Sequence, residues 1–83
     1  MSLTVLYFAW MRERIGIASE EVQTKATSVS GLVDELCARD DRYGLAFSDM
    51  ESVRVAVDQE LADLDAPISG AREVAFFPPM TGG

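Results

Sequence analysis

The chain closes on Glu73-Val74-Ala75-Phe76-Phe77-Pro78-Pro79-Met80-Thr81-Gly82-Gly83, and the character of this stretch changes as it runs. Glu73 to Phe77 reads as a short apolar strand. Pro78 and Pro79 have no backbone N–H to give a sheet ladder, so they end the strand while holding the chain extended. Met80, Thr81, Gly82 and Gly83 follow with no charged side chain. Two glycines without Cβ atoms can thread a narrow channel and let another protein's backbone approach the terminal carboxylate. The reading is a domain over residues 1–79 that holds out a flexible tail over 80–83.

The strand needs a neighbour, and the other end of the chain supplies one. Leu3 to Trp10 carries Leu3, Val5, Tyr7 and Ala9 on one face and Thr4, Leu6, Phe8 and Trp10 on the other. Apolar residues on both faces suit a central strand. If Val74 and Phe76 point into the core, alternation turns Phe77 to the opposite face. Phe8 likewise opposes Val5 and Tyr7. Pairing of the first and last strands therefore sets Phe8 beside Phe77, with Leu61 placed to complete an apolar patch near the tail. Such a patch is a partner site by expectation.

The intervening residues supply the crossover that a parallel pair requires. Met11 to Gly16 reads as a turn or short helical turn stopped by Gly16. Glu20 to Thr24 reads as a weak polar strand that forms a hairpin with the first. Ser28 N-caps the best helix, which runs to Arg39 with Val29, Leu32, Val33, Leu36 and Cys37 at helical spacing. Asp40-Asp41 opposes the negative end of its dipole and should stop it. Tyr43 to Phe47 reads as a further helical turn. Val53, Val55 and Val57 alternate as a strand, and Leu61 stands as an isolated apolar residue. Leu64 to Arg72 reads as a connecting loop. The order predicts an α+β fold of the ubiquitin-like β-grasp kind: a mixed four- to five-stranded sheet with one main helix packed on it.

Composition narrows the function. Eighty-three residues suit one domain. The net charge is −7, with seven Lys and Arg against fourteen acids, which disfavours nucleic acid and anionic membranes as partners. No apolar run reaches the length of a membrane span. The single cysteine rules out an intrachain disulfide and points to a reducing, cytoplasmic setting. There is no histidine, so neither a self-contained histidine triad nor a histidine metal site is available. Cys37 lies on the apolar helix face with acids nearby and reads as an inert core thiol. Glu20-Glu21, Asp40-Asp41 and Asp63/Asp65 lack calcium-loop spacing and read as solvated acids, with no metal site expected. Arg12 and Arg14 read as surface charges on a turn. The tail differs. Once ATP converts a carboxylate to an acyl-adenylate, sulfur, nitrogen or oxygen can attack it, and that activation needs a partner.

Taken together, Val5-Leu6-Tyr7-Phe8-Ala9 with Arg12-Glu13 and Gly16, Val55-Ala56-Val57-Asp58-Gln59, and above all Glu73 to Gly83 resemble the small subunit of molybdopterin synthase, a ubiquitin-like sulfur carrier family. The family usually has asparagine in place of Asp58, and Ser69-Gly70-Ala71-Arg72 departs from its acidic turn. The resemblance implies that Gly83, preceded by Gly82, is adenylated by a ubiquitin-activating-type adenylyltransferase using ATP and then carries a thiocarboxylate. It implies no bound cofactor. The sulfur would go to precursor Z (cyclic pyranopterin monophosphate) inside the large synthase subunit, within a heterotetramer whose large subunits hold the catalytic groups. Phe8, Leu61, Phe77, Pro78, Pro79, Met80 and Thr81 would form the partner interface. Alternatives are a carrier for thiamine thiazole or another pathway, a protein modifier joined through Gly83, and a plain interaction module with an unprocessed tail.

Overall fold

Leu3, Val5 and Tyr7 alternate along strand β1 (Ser2–Tyr7), and all three are fully buried. The computed structural model describes residues 2–79. The chain continues through α1 (Ala9–Ile15), β2 (Ser19–Gln23), α2 (Val29–Arg39), α3 (Asp41–Ala46), a 3-10 turn at Met50–Ser52, β3 (Arg54–Val57), β4 (Glu60–Ala62) and β5 (Glu73–Phe77). Five strands form one mixed sheet in the order β2-β1-β5-β3-β4. β1 and β5 run parallel, with Val5 opposite Val74 and Tyr7 opposite Phe76. The other pairs are antiparallel. This is the β-grasp arrangement expected, with the last strand where the sequence put it. Met80, Thr81, Gly82 and Gly83, and with them the expected boundary after residue 79, lie outside the described residues.

One face of the sheet is covered. Val29, Leu32 and Leu36 of α2, Met11 and Ile15 of α1, and Tyr43 and Ala46 of α3 join Leu3, Val5, Tyr7, Val74 and Phe76 in a single core. Phe47 meets the Phe76 ring edge-on at 4.9 Å between centroids. The main helix is accompanied by two shorter ones rather than standing alone.

The first strand is shorter than its apolar run suggested. Phe8 is still extended, but Ala9 turns the chain with φ 53, and Ala9 and Trp10 open α1 instead of continuing β1. Met11 and Ile15, one helical turn apart, are both fully buried. The helical period therefore outcompetes strand alternation here. Arg14 lies 4.8 Å above the Trp10 ring, a stacking that only helical spacing allows. Gly16 stops the helix as expected, at φ 96, its N–H donating to the Arg12 carbonyl at 2.8 Å. Because α1 lies in the connection, β1 and β2 pair antiparallel without a tight hairpin. Leu61 belongs to β4, a strand too short to show alternation. Asp58 and Gln59 join it to β3 with φ 49 and 70, the two-residue turn that matches strand twist.

The first N–H groups of a helix have no partner within it. In α2 the Val29 and Ser30 N–H groups donate to the Ala66 and Leu64 carbonyls at 3.1 and 2.9 Å, and Gly31 donates to Ser28 Oγ at 3.2 Å. The long loop before β5 is thus pinned to the helix start, and Ile68 is fully buried beneath it. Asp40 both ends α2 and caps α3, accepting from the Arg42 N–H at 2.9 Å.

Glu20 departs from the solvated role its sequence position suggested. Its Oε2 accepts from the Tyr7 and Tyr43 hydroxyls at 2.8 and 2.6 Å, and Arg39 lies 3.7 Å from Oε1. One carboxylate thereby joins β1, β2, α2 and α3. Burial, then the adjoining carboxylate, pushes both phenols above their usual range. Below about pH 10 the phenols are neutral folded or unfolded. Above it the unfolded chain releases protons that the folded one retains, so stability falls as pH rises. Chemical denaturation at rising pH should record a decline of up to about 1.4 kcal/mol per pH unit for each phenol. Tyr7→Phe should lose one phenol's share of that slope, and an unaltered slope would exclude Tyr7 as a source.

Candidate functional site

The face of the sheet turned away from the helices is built in rows. Leu6 of β1 pairs with Ala75 of β5, Ala75 with Ala56 of β3, and Ala56 with Leu61 of β4. On one side of this apolar row stands a polar one, in which Glu21 pairs with Thr4 and Thr4 with Glu73. On the other side Phe77 pairs with Arg54, and Phe8 lies next to β5 with its N–H donating to the Phe76 carbonyl at 3.1 Å. These positions alternate with the buried Val5, Tyr7, Val74, Phe76 and Val55, which is why they face outward. Ala75 is only 7% exposed yet lies outside the core, because its neighbours on this outer face cover it.

A shallow groove of about 600 Å³ runs along this face, lined by Leu6, Phe8, Ala56, Gln59, Glu73, Ala75, Phe77 and Pro78. Phe8 is 45% exposed, while Phe77 and Pro78 are half-buried. The structure therefore brings Phe8, Phe77 and Pro78 together where β5 leaves the sheet. Pro79, also half-buried, follows directly. Leu61 is 80% exposed on the same face, one strand beyond the groove wall rather than in it. Met80, Thr81, Gly82 and Gly83 lie outside the described residues. Leu6, Ala56, Gln59, Glu73 and Ala75, which line the groove, were not assigned an interface role from the sequence. A signal for three of them was available, since Leu6 lies two residues before Phe8 and Ala75 and Glu73 two and four before Phe77.

Asp58 buttresses the groove from one end. Its Oδ1 accepts from the Arg72 and Glu73 N–H groups at 2.9 and 3.0 Å, and its own N–H donates to the Glu73 carbonyl at 2.9 Å. The β3–β4 turn is thereby tied to the first residue of β5. Cys37 sits on the helical side, half-buried against the core, where burial and then the Asp34 charge push its thiol up. No group of three or more Cys, Asp and Glu residues among those described could hold a metal ion. No described helix is long and apolar enough to cross a membrane.

A match to the ThiS family extends over residues 5–83. The chain belongs to the ThiS family. Among full-length relatives of this ThiS member is the molybdopterin synthase sulfur carrier subunit of Escherichia coli (strain K12), 41% identical over 81 residues, covering 98% of this chain and 99% of that one. The protein of the same name from Haemophilus influenzae is 33% identical over the same coverage. Two solved structures share the fold. SAMP1 from Haloferax volcanii superposes with a TM-score of 0.75 at 22% identity over the whole of both chains. A chain in the complex of subunits 1 and 2 of the molybdopterin-converting factor from Helicobacter pylori 26695 does so with 0.64 at 20% identity, again over both whole chains. These likenesses establish the ubiquitin-like β-grasp fold of this ThiS-family chain.

Asp58→Ala should destabilise the fold by about 1–3 kcal/mol, since it removes the acceptor of two N–H groups at a left-handed residue. Asp58→Asn keeps an oxygen there and should restore most of the loss in urea denaturation. Equal losses in both variants would assign the effect to charge instead of geometry.

Proposed function

We propose that this chain is the sulfur carrier subunit of a molybdopterin synthase, with Gly83 as the carrying residue. The observation that supports this most is the apolar groove of Phe8, Phe77 and Pro78 at the point where β5 leads toward Gly82-Gly83. A docking surface is thus continuous with a tail that has the composition to enter another protein's active site. The two full-length relatives described above bear the same functional name, which favours this reading over a thiamine thiazole carrier.

The chemistry follows from the carboxylate. It is a poor electrophile until one of its oxygens attacks the α-phosphorus of ATP and expels pyrophosphate. The partner for this step would be a ubiquitin-activating-type adenylyltransferase. A sulfur nucleophile then attacks the acyl carbon and AMP leaves, so that Gly83 carries a thiocarboxylate. Docked through Phe8, Leu61, Phe77, Pro78 and Pro79, the tail residues Met80 to Gly83 would extend into the large subunit. There the thiocarboxylate sulfur would bond to a carbon of precursor Z. Water would then cleave the acyl–sulfur bond, leaving the sulfur on the precursor and returning the Gly83 carboxylate for another cycle. This chain has no histidine to serve as general acid or base near neutral pH, so those groups would belong to the large subunit. Two small and two large subunits would make up the assembly.

Intact mass spectrometry tests the carrier step. Incubation with ATP, an activating enzyme and a sulfide source should replace one oxygen by sulfur, with the gain localised to Gly83. Deleting Gly82-Gly83 should abolish both the mass gain and sulfur transfer while thermal stability stays unchanged. Sulfur transfer persisting in the deletion would refute the role of the tail. Separately, Phe77→Asp should raise the Kd for the large subunit at least tenfold in a calorimetric titration, because it buries a charge against an apolar partner. An unchanged Kd would remove Phe77 from the interface.

A further inference from the structure

Glu73 is the one charged side chain among the residues lining the groove. It is half-buried there, and its carboxylate makes no hydrogen bond or ion pair among the described residues. Arg72, the residue before it, lines a neighbouring pocket together with Glu73 but forms no ion pair with it among the described residues. Across its row stand Thr4 and then Glu21, which adds a second negative charge instead of a positive one. Arg54 lies at the Phe77 end of the face, where its guanidinium already donates to the Glu51 and Val53 carbonyls at 2.9 and 3.1 Å.

We propose that Glu73 pairs with a lysine or arginine on the docking partner and so fixes the direction in which that partner lies along the sheet. The inference rests on the docking reading of the outer face and adds the chemistry of the partner. A wholly apolar surface laid over the groove would strip water from an unpaired carboxylate, which is strongly disfavoured. A long basic side chain resolves this, since its aliphatic stem can lie over Ala75 while its charged head reaches the carboxylate. Glu73 and Phe77 are four residues apart on β5, or about 13 Å. The fitting partner therefore presents an apolar anchor and a cation about that far apart. A partner docked in reverse would set its cation over Phe77 and leave Glu73 stranded. The end of β5 that leads on through Pro78 and Pro79 would thereby meet the partner in one orientation only. The net charge of −7 also favours the approach of a basic surface to the chain.

The test is a titration of the full chain with the large subunit of molybdopterin synthase from the same organism, at low and at high salt. Glu73→Gln should raise the low-salt Kd about tenfold and flatten its salt dependence. Phe77→Ala should raise Kd while the salt dependence stays as in the unaltered chain. A weakened Phe77→Ala beside a Glu73→Gln of unaltered affinity would overturn the pairing and leave the docking face standing. Loss of affinity in Glu73→Gln with an unaltered salt dependence would also overturn it, because the carboxylate would then act through the fold of its own chain. Unaltered affinity in both variants would refute the docking reading and the pairing together. Thermal melts of each variant establish that it is folded.

Discussion

The parallel pairing of β1 with β5 is the constraint on which the rest of the structure depends. Parallel strands cannot be joined by a tight turn, so the chain between them must cross over one face of the sheet. Here that crossover contains β2, all three helices, and the β3–β4 hairpin added beyond β5. The helices occupy one face and bury Leu3, Val5, Tyr7, Val74 and Phe76 beneath them. The opposite face carries no helix among the described residues. Tyr7 lies opposite Phe76, and the Phe8 N–H reaches the Phe76 carbonyl, so the aromatic residues next in each strand emerge side by side on that free face. The apolar groove is a direct consequence of the register.

Apolar burial alone would not set these pieces so definitely, because it has no direction. Two carboxylates supply direction, one at each side of the sheet. Glu20 gathers the Tyr7 and Tyr43 hydroxyls, and so seats α3 against the strands. Asp58 holds the first N–H groups of β5 against the β3–β4 turn. The helix start of α2 is served similarly, by carbonyls of the loop that leads into β5. Each device fastens the last strand or what lies against it. A rigid base for the tail follows, which suits a protein whose chemistry would be performed in a partner's active site.

The outer face is graded rather than uniform. Phe8 and Phe77 stand at the tail end, Leu6, Ala75 and Ala56 form the middle, and Glu73 with Glu21 closes the other end. A flat apolar patch can bind in several orientations, whereas one with a charge at one end discriminates among them. Direction would matter for the proposed carrier role, in which the tail would enter a partner's active site. The exposed Leu61 extends the face sideways without altering that gradient.

Much of this was legible in the sequence because the relevant signals are local. The strand Glu73–Phe77, the Ser28 cap, the Gly16 stop and the outward turn of Phe8 and Phe77 all follow from periodicity or from the chemistry of single residues. The Gly-Gly end, the absence of histidine and the acidic balance narrowed the function by themselves. Tertiary structure decided the rest. Trp10 went to a helix because burying Met11 and Ile15 together outweighed strand alternation, a comparison that exists only once a core is present. Glu20 became a structural acceptor because two tyrosines far from it in sequence converged on its oxygen. Leu61 joined a strand because β3 offered a free edge for it to pair with. Glu73 gained its place in the groove from neighbours on other strands, since a groove is made by register and no single stretch of chain contains one.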